Sequence, residues 1–550
     1  MARTPLFHSL RQAIRVAAFA ARQNPDGPSV DEIIDMAYSR RRFLRNTALA
    51  TVALATGCTP SPTKEQSTPA PAPSGGPRIV IVGGGMAGLN TAYNLQKAGL
   101  RARIFEGSSR TGGRMFTAAN AMGEGLTTEL GGEFIDSNHE ELLKLVEEFG
   151  LEKIDTQAPD AKSLIKEAYF FKGQHYTPEQ AALTFVPLAQ RIFKDYDALG
   201  EVIDYKEEGG GAKLDRMSMA QYFDSIDARG WMRALLEVAY VTEYGREPGE
   251  QSALNFINLI ATGDLEDKEA FDILGESDER YKVKGGNERV VQELARRLEA
   301  QIKREHRLQA IKSKGEGFTL TFQNGNGSTV EEEADIVVLA IPFTMLREVD
   351  MQVELPAVKK AVIAQLGYGT NAKVLIPFKT RPWKKLGYAG NVYADEPFQL
   401  AWDNSFLQPG AAGGLTLYSG GIPGIEVGKG SADEVAKRLM AGVERVYPGS
   451  SRELTDKSSK FQPSRMHWPT HPWTKASYAC YKPGQWTTIA GAESLPVGNL
   501  YFAGEHCSYD FQGYMNGAAQ SGLDTAKAVM AKLSGSKAAH SHSRRSARVG

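Results

Sequence analysis

Two neighbouring stretches combine glycines with charged side chains at spacings suited to phosphate chemistry. PRIVIVGGGMAGLNTAYNL sets Gly83, Gly85 and Gly88 in a G-x-G-x-x-G turn that follows an apolar run and opens a helical one. In such a turn the first glycine permits the bend, the second lets backbone approach a pyrophosphate, and the third allows close helix–strand packing. Met86 and Ala87 then lead a helix whose free N–H groups and positive dipole end suit phosphates. RARIFEG reads as the next strand and ends in Glu106, an acceptor for ribose hydroxyls. SSRTGGRMF follows at once, with Arg110, Gly112, Gly113 and Arg114 in an R-x-G-G-R arrangement. There the glycine backbone and the arginine forks can both reach a diphosphate. The sum is a dinucleotide site.

Chemistry-bearing residues further along need a scaffold to bring them there. The pattern predicts a buried strand over 78–83, a helix over 86–98 and a strand over 101–105. Residues 183–276 read as mostly helical, 334–341 as another buried strand, and 372–378 and 414–419 as further β-like runs. No repeat of fixed period is present. The fold class is α/β with a helical insertion, and 550 residues exceed what one hydrophobic core organises, so two interlocked domains are expected. A formal net charge of −1 and the lack of a basic–aromatic stripe or zinc-knuckle spacing argue against nucleic acid as a partner. No metal site is expected. His540 and His542 lie in a polar, basic tail that reads as solvated.

The second glycine stretch resembles the fingerprint of FAD enzymes of the glutathione-reductase-like class, and the chain as a whole resembles the flavin amine oxidase family over roughly residues 78–533. TELGGEFI is similar to the family segment that runs past the flavin ring. YKVKGGNERVVQEL is similar to its return strand and Gly-Gly helix start, and ADIVVLAIPFTML to its strand-then-proline element. NLYFAGEHCS resembles the C-terminal F-A-G-E motif. The resemblance implies a Rossmann-like FAD-binding domain interlocked with an α+β substrate-binding domain. Beyond the residues above it assigns Gly131, Gly132, Glu133, Phe134, Leu308, Trp468, Gly504, Glu505, Gly513, Tyr514 and Met515 to the cofactor.

Three residues are implied as catalytic. Lys373, in GTNAKVLIPFKTRPW, matches a lysine that is water-bonded to flavin N5, the atom that takes hydride from the substrate α-carbon. Tyr478, in HWPTHPWTKASYACYKPGQ, and Tyr514, in DFQGYMNGAAQSG, match the two walls of an aromatic cage that guides an uncharged amine. The C-terminal helix would aim its N-terminus at the ring positions that carry negative charge on reduction. Ser477 falls where some monoamine oxidases carry a cysteine linked to FAD, so the cofactor is expected to be non-covalent.

The expected reaction is oxidative deamination of an L-amino acid, basic ones among the candidates, giving a 2-oxo acid, ammonia and H2O2 or a reduced acceptor. The alternative is a primary amine or polyamine, and a remote one is a flavin-bound, non-catalytic binding protein. Glu133, facing the pocket, would favour a cationic substrate end. Oxygen or a membrane quinone would be the acceptor, and a homodimer is an allowed assembly.

SRRRFLR (39–45) followed by NTALATVALATGC resembles a twin-arginine export signal with Arg40 and Arg41 as the pair. The expectation is export through that translocase to the periplasm or cell surface, with Cys58 as a candidate lipid-bearing residue. The domain plan is a signal (1–58), a Pro/Ser-rich linker (59–77) and FAD-binding parts at 78–150, 276–350 and 465–533. Substrate-binding parts fall at 151–275, helical, and 351–464, sheet-bearing, with a basic tail at 534–550. Cys480 and Cys507 are expected as small buried side chains, not a disulfide.

Overall fold

The computed structural model describes residues 76–157, 164–200, 202–260 and 279–535. The export signal, the linker, Cys58 and the histidine-bearing tail lie outside the described residues. Strand β1 (Ile79–Val82) is buried at every position and takes the centre of a five-stranded parallel sheet. On one side it pairs with β2 (Ala102–Phe105), on the other with Ile336–Leu339, and Leu500–Phe502 extends the sheet beyond. A continuous apolar run suits a strand covered on both faces, whereas an alternating one would leave polar groups in the core. Helix α1 (Met86–Lys97) connects β1 to β2.

The C-terminal helix, Met515–Leu533, packs across α1. Asn90 donates to the Ala519 carbonyl at 2.7 Å and Thr91 to the Gly522 carbonyl at 3.0 Å. A Cβ on Gly522 would meet the Ala87 carbonyl oxygen at 2.5 Å. The small residues of this helix therefore allow the close crossing that seats its N-terminus beside that of α1.

The second large unit is a seven-stranded sheet in the order 464–467, 372–378, 413–419, 400–403, 388–394, 165–171 and 174–176. All neighbours are antiparallel except Tyr388–Ala394 with Ile165–Phe171. Strand Ala372–Phe378 is buried throughout. One face packs on the helices Pro178–Asp197, Met219–Ser225, Gly230–Tyr244 and Ala253–Ile260, whose aromatic and aliphatic side chains share a core with Tyr169, Tyr393 and Tyr418. A third, four-stranded sheet includes His306–Lys314 and Gly317–Asn324.

The strands Ile165–Phe171 and Gln174–Tyr176 escape the sequence pattern, which reads that region as helical. Their apolar run AYFF is too short to give a period, and its partner lies more than 200 residues away. Cys480 and Cys507 are free thiols, and burial pushes the Cys480 thiol up to about 12.

Candidate active site

A cavity of about 410 Å³ is lined by residues of both the parallel sheet and the seven-stranded sheet. On the parallel-sheet side it is built largely from backbone. Gly83 has a φ of 106°, which only glycine adopts without strain, and its N–H donates to the Phe105 carbonyl at 2.8 Å. Gly112 N–H donates to the Gly84 carbonyl at 2.8 Å and joins the two glycine loops. Gly85 and Gly113 face each other there, and a Cβ on Gly85 would reach nothing closer than the Gly113 Cα at 4.0 Å.

Glu106 lines the same side. Its carboxylate accepts from Gly84 N–H and Ser108 N–H, both at 2.7 Å, so the loops fix its direction. Gly88 is not on the cavity wall: its Cβ would fall 2.0 Å from the Gly83 carbonyl oxygen, at the helix–strand contact. Leu308 reaches the wall from strand His306–Lys314.

Two helices start at this wall. Gly85 and Tyr514 are the N-caps of α1 and the C-terminal helix, and neither helix has a side-chain cap. Met86 and Ala87 of the first and Gly513, Tyr514 and Met515 of the second line the cavity. Uncapped N–H groups and two positive dipole ends thus converge on one space.

Arg110 and Arg114 both line the cavity. Arg110 donates to the carbonyls of Thr111 at 2.7 Å and Gly113 at 2.6 Å, and its guanidinium lies 3.9 Å from the Phe116 ring centre. Arg114 Nη1 donates to the Ser477 carbonyl at 2.7 Å and to Glu505 Oε1 at 2.8 Å. These donors hold the cavity's own loops together, and both arginines also line the cavity where a diphosphate would lie. The second oxygen of Glu505 is buried and has no hydrogen-bond partner among the described residues. Gly504, beside it, also lines the cavity.

On the other side the wall is made of side chains. Lys373 lies in the middle of a fully buried strand, opposite Tyr418 on one neighbour and Met466 on the other. Its Nζ donates to the carbonyls of Glu129 at 3.0 Å and Gly131 at 2.8 Å, and to Glu133 Oε2 at 2.7 Å. Three acceptors match the three N–H bonds of an ammonium. Lys373 thus reaches the cavity wall as expected, with its ammonium held by protein oxygens.

Glu133 also lines the cavity. Its other oxygen accepts from Lys282 at 2.5 Å, and the carboxylate is buried between two lysines. Burial alone would push its carboxyl up, but Lys282 and Lys373 outweigh it and hold it below the usual carboxylate range. Each of its oxygens is taken by one lysine. Glu129, one strand position before this loop, shows the reverse balance. Burial and then the neighbouring Glu133 charge push its carboxyl up to about 8.

Tyr478 and Tyr514 both line the cavity. The Tyr478 hydroxyl lies 2.9 Å from that of Tyr418 and donates to the Thr242 carbonyl at 3.2 Å. The Tyr514 hydroxyl donates to Glu243 at 3.2 Å. Trp402 completes the wall, 5.5 Å from the Tyr418 ring and 5.1 Å from Lys373 Nζ. Trp468 lines it as well, its indole N–H donating to the Leu130 carbonyl at 3.2 Å.

Gly131, Gly132 and Glu133 reach the cavity, but Phe134 does not. Phe134 instead packs 6.1 Å from the Trp402 ring, against the core beneath the seven-stranded sheet.

Trp402, Tyr418, Glu129 and Lys282 were missed by motif reading. A lysine inside the apolar run AKVLIPF was a visible signal that something must neutralise it. The identity of its partners depended on strand register, which no local pattern supplies.

Residues 86–530 match the family described as flavin containing amine oxidoreductase. The flavin-containing amine oxidase of Danio rerio is 26% identical over 488 residues, covering 83% of this chain and 86% of that protein. Amine oxidase A of Equus caballus is 24% identical over 469 residues, with 83% and 85% covered. Cyclohexylamine oxidase from Brevibacterium oxydans shares the fold with a TM-score of 0.71 at 20% identity, covering 83% of this chain and 99% of that one. Putrescine oxidase, solved with putrescine bound, gives a TM-score of 0.70 at 20% identity and the same coverage. With the Rossmann-like sheet and its glycine-built cavity, this match over more than half of its length settles the assignment: the chain belongs to the flavin-containing amine oxidoreductases, FAD enzymes that act on CH–NH2 groups.

Proposed function

We propose that the chain oxidises an amine that carries a second positive end, with the reacting nitrogen entering between Tyr478, Tyr418 and Tyr514. FAD, when bound, supplies the electron acceptor for the C–N oxidation. The residues present suit it: the two uncapped helix N-termini, the open glycine backbones and the unpartnered buried oxygen of Glu505. Met86, Ala87, Glu106, Gly131, Gly132 and Met515 would hold it, and a serine at 477 leaves no thiol there for a covalent link. Acid precipitation of the holoenzyme should release all of the FAD into the supernatant.

The observation that carries the substrate reading is the acidity behind the tyrosine wall. Asp136, Glu167, Glu243 and Glu279 are all buried, and Tyr514 bonds Glu243 directly. Burial, and then Asp136, Glu243 and Glu167, push the Glu279 carboxyl well above its usual range. Through the Tyr514 hydroxyl, the Glu243 carboxyl stands next to the cavity wall and favours a second cationic end on the substrate. The arginines that line the cavity are Arg110, Arg114 and Arg307, none of them from the strands that carry Lys373, Trp402 and Tyr418. A substrate α-carboxylate would therefore lack the usual arginine fork.

The L-amino-acid reading keeps one observation in its favour. Two lysines on one ionised carboxylate place extra positive charge near the cavity.

The deciding experiment is anaerobic addition of monoamines, diamines, polyamines and L-amino acids to the holoenzyme, followed by the loss of flavin absorbance. Diamines or polyamines should bleach it fastest. Bleaching by neutral L-amino acids alone would overturn the reading and restore the amino-acid one. Reoxidation in air or by a soluble quinone then separates the two acceptors. Export through the twin-arginine route and attachment through Cys58 stay part of the proposal, to be read from membrane association of the wild type and of Cys58→Ala.

A further inference from the structure

The buried array Lys282–Glu133–Lys373 has a consequence for the charge of the site. Glu133 presents one oxygen to each lysine, at 2.5 Å to Lys282 and 2.7 Å to Lys373. Side-chain exposure is 13% for Lys282, 5% for Lys373 and 1% for Glu133, so water does little to screen the three charges. Lys373 alone with Glu133 would be a neutral pair. Lys282 is the member that leaves one positive charge over.

The neighbouring carboxyl does not cancel that charge. Glu129 accepts from Asn287 N–H at 2.8 Å and from the Thr117 hydroxyl at 2.8 Å, and burial and then the Glu133 charge push its carboxyl up to about 8, so that it keeps its proton at neutral pH. Lys282 reaches the array from strand Tyr281–Val283, far in sequence from Lys373, with its Nζ 5.5 Å from the Phe134 ring. It is not on the cavity wall, whereas Glu133 and Lys373 are.

We propose that Lys282 is a positioning residue for the reaction: by taking half of Glu133, it leaves the Lys373 ammonium only partly neutralised and gives the cavity a net positive wall. A buried positive wall favours whatever negative charge develops in the cavity as electrons arrive there. This inference rests on the family assignment and is independent of which amine is oxidised. Lys282 acts through Glu133 and Lys373 and has no contact with the reacting atoms.

The test compares Lys282→Met, Lys282→Arg and wild type as holoenzymes. In Lys282→Met the midpoint potential of the bound flavin should fall, and flavin reduction by substrate should slow on the order of tenfold. FAD content and KM should change little, because the groups that line the cavity stay in place. Lys282→Arg keeps the charge and the bond to Glu133 and should restore both the potential and the rate. An unchanged potential in a folded, FAD-loaded Lys282→Met would overturn the proposal. A loss of thermal stability shared equally by the Met and Arg variants, with wild-type potentials in both, would assign Lys282 a purely structural role and overturn it as well. Failure of the substrate reading would appear separately, as a different order of substrates in all three proteins.

Discussion

The two sides of the cavity are built by opposite means. On the parallel-sheet side the working groups are backbone N–H bonds and close glycine contacts, gathered within residues 83–114 and at the start of the last helix. On the other side they are the side chains of residues 133, 373, 402, 418 and 478, with 129 and 282 behind them, which meet only when distant parts of the chain pack together. A backbone site must be written locally, because glycine is needed at each bend and each close approach. A side-chain site needs only the right residues on the right face, so its parts are scattered and individually plain.

This contrast predicts different responses to substitution. The largest effect belongs to the backbone side. Gly88→Val would push a side chain into the Gly83 carbonyl, 2.0 Å from where its Cβ must lie, and force α1 away from β1. The cost should be about 3 kcal/mol or more, with FAD absent from the purified protein. Full FAD content at wild-type thermal stability would break the comparison.

A smaller effect, carried by pH, belongs to the side-chain side. Glu129 has its folded carboxyl raised to about 8, above its value in the unfolded chain. The folded protein then holds this proton more tightly than the unfolded one, so stability falls as pH rises from about 4.5 toward 8. Glu129→Gln should remove that part of the fall. Its Tm should gain on wild type between pH 5 and pH 8, with the two proteins closest at the acid end. Parallel Tm profiles would show that Glu129 does not titrate in this window.

The same contrast explains what could be read in advance. The α/β class, the central strand, α1 and strand Ala372–Phe378 follow from apolar runs bounded by glycines, which are local signals. The positions of Gly83, Gly85 and Glu106 follow from one motif. Glu133 and Lys373 were also legible as unusual residues, a charge beside two glycines and a charge inside an apolar strand. What could not be read was that they bind each other, and that Lys282 joins them. That depends on where strand Tyr281–Val283 lies relative to Ala372–Phe378, a matter of tertiary packing. Arg110 adds what the motif alone did not say: its side chain also braces the loop that presents the glycines.

The central claim is that one wall of the cavity holds the flavin while the other drives the oxidation of the amine. Lys373→Met separates the two most directly. FAD content should remain at one per chain, while anaerobic flavin reduction by the best amine slows about a hundredfold. Reduction at the wild-type rate in an FAD-loaded Lys373→Met would contradict the account.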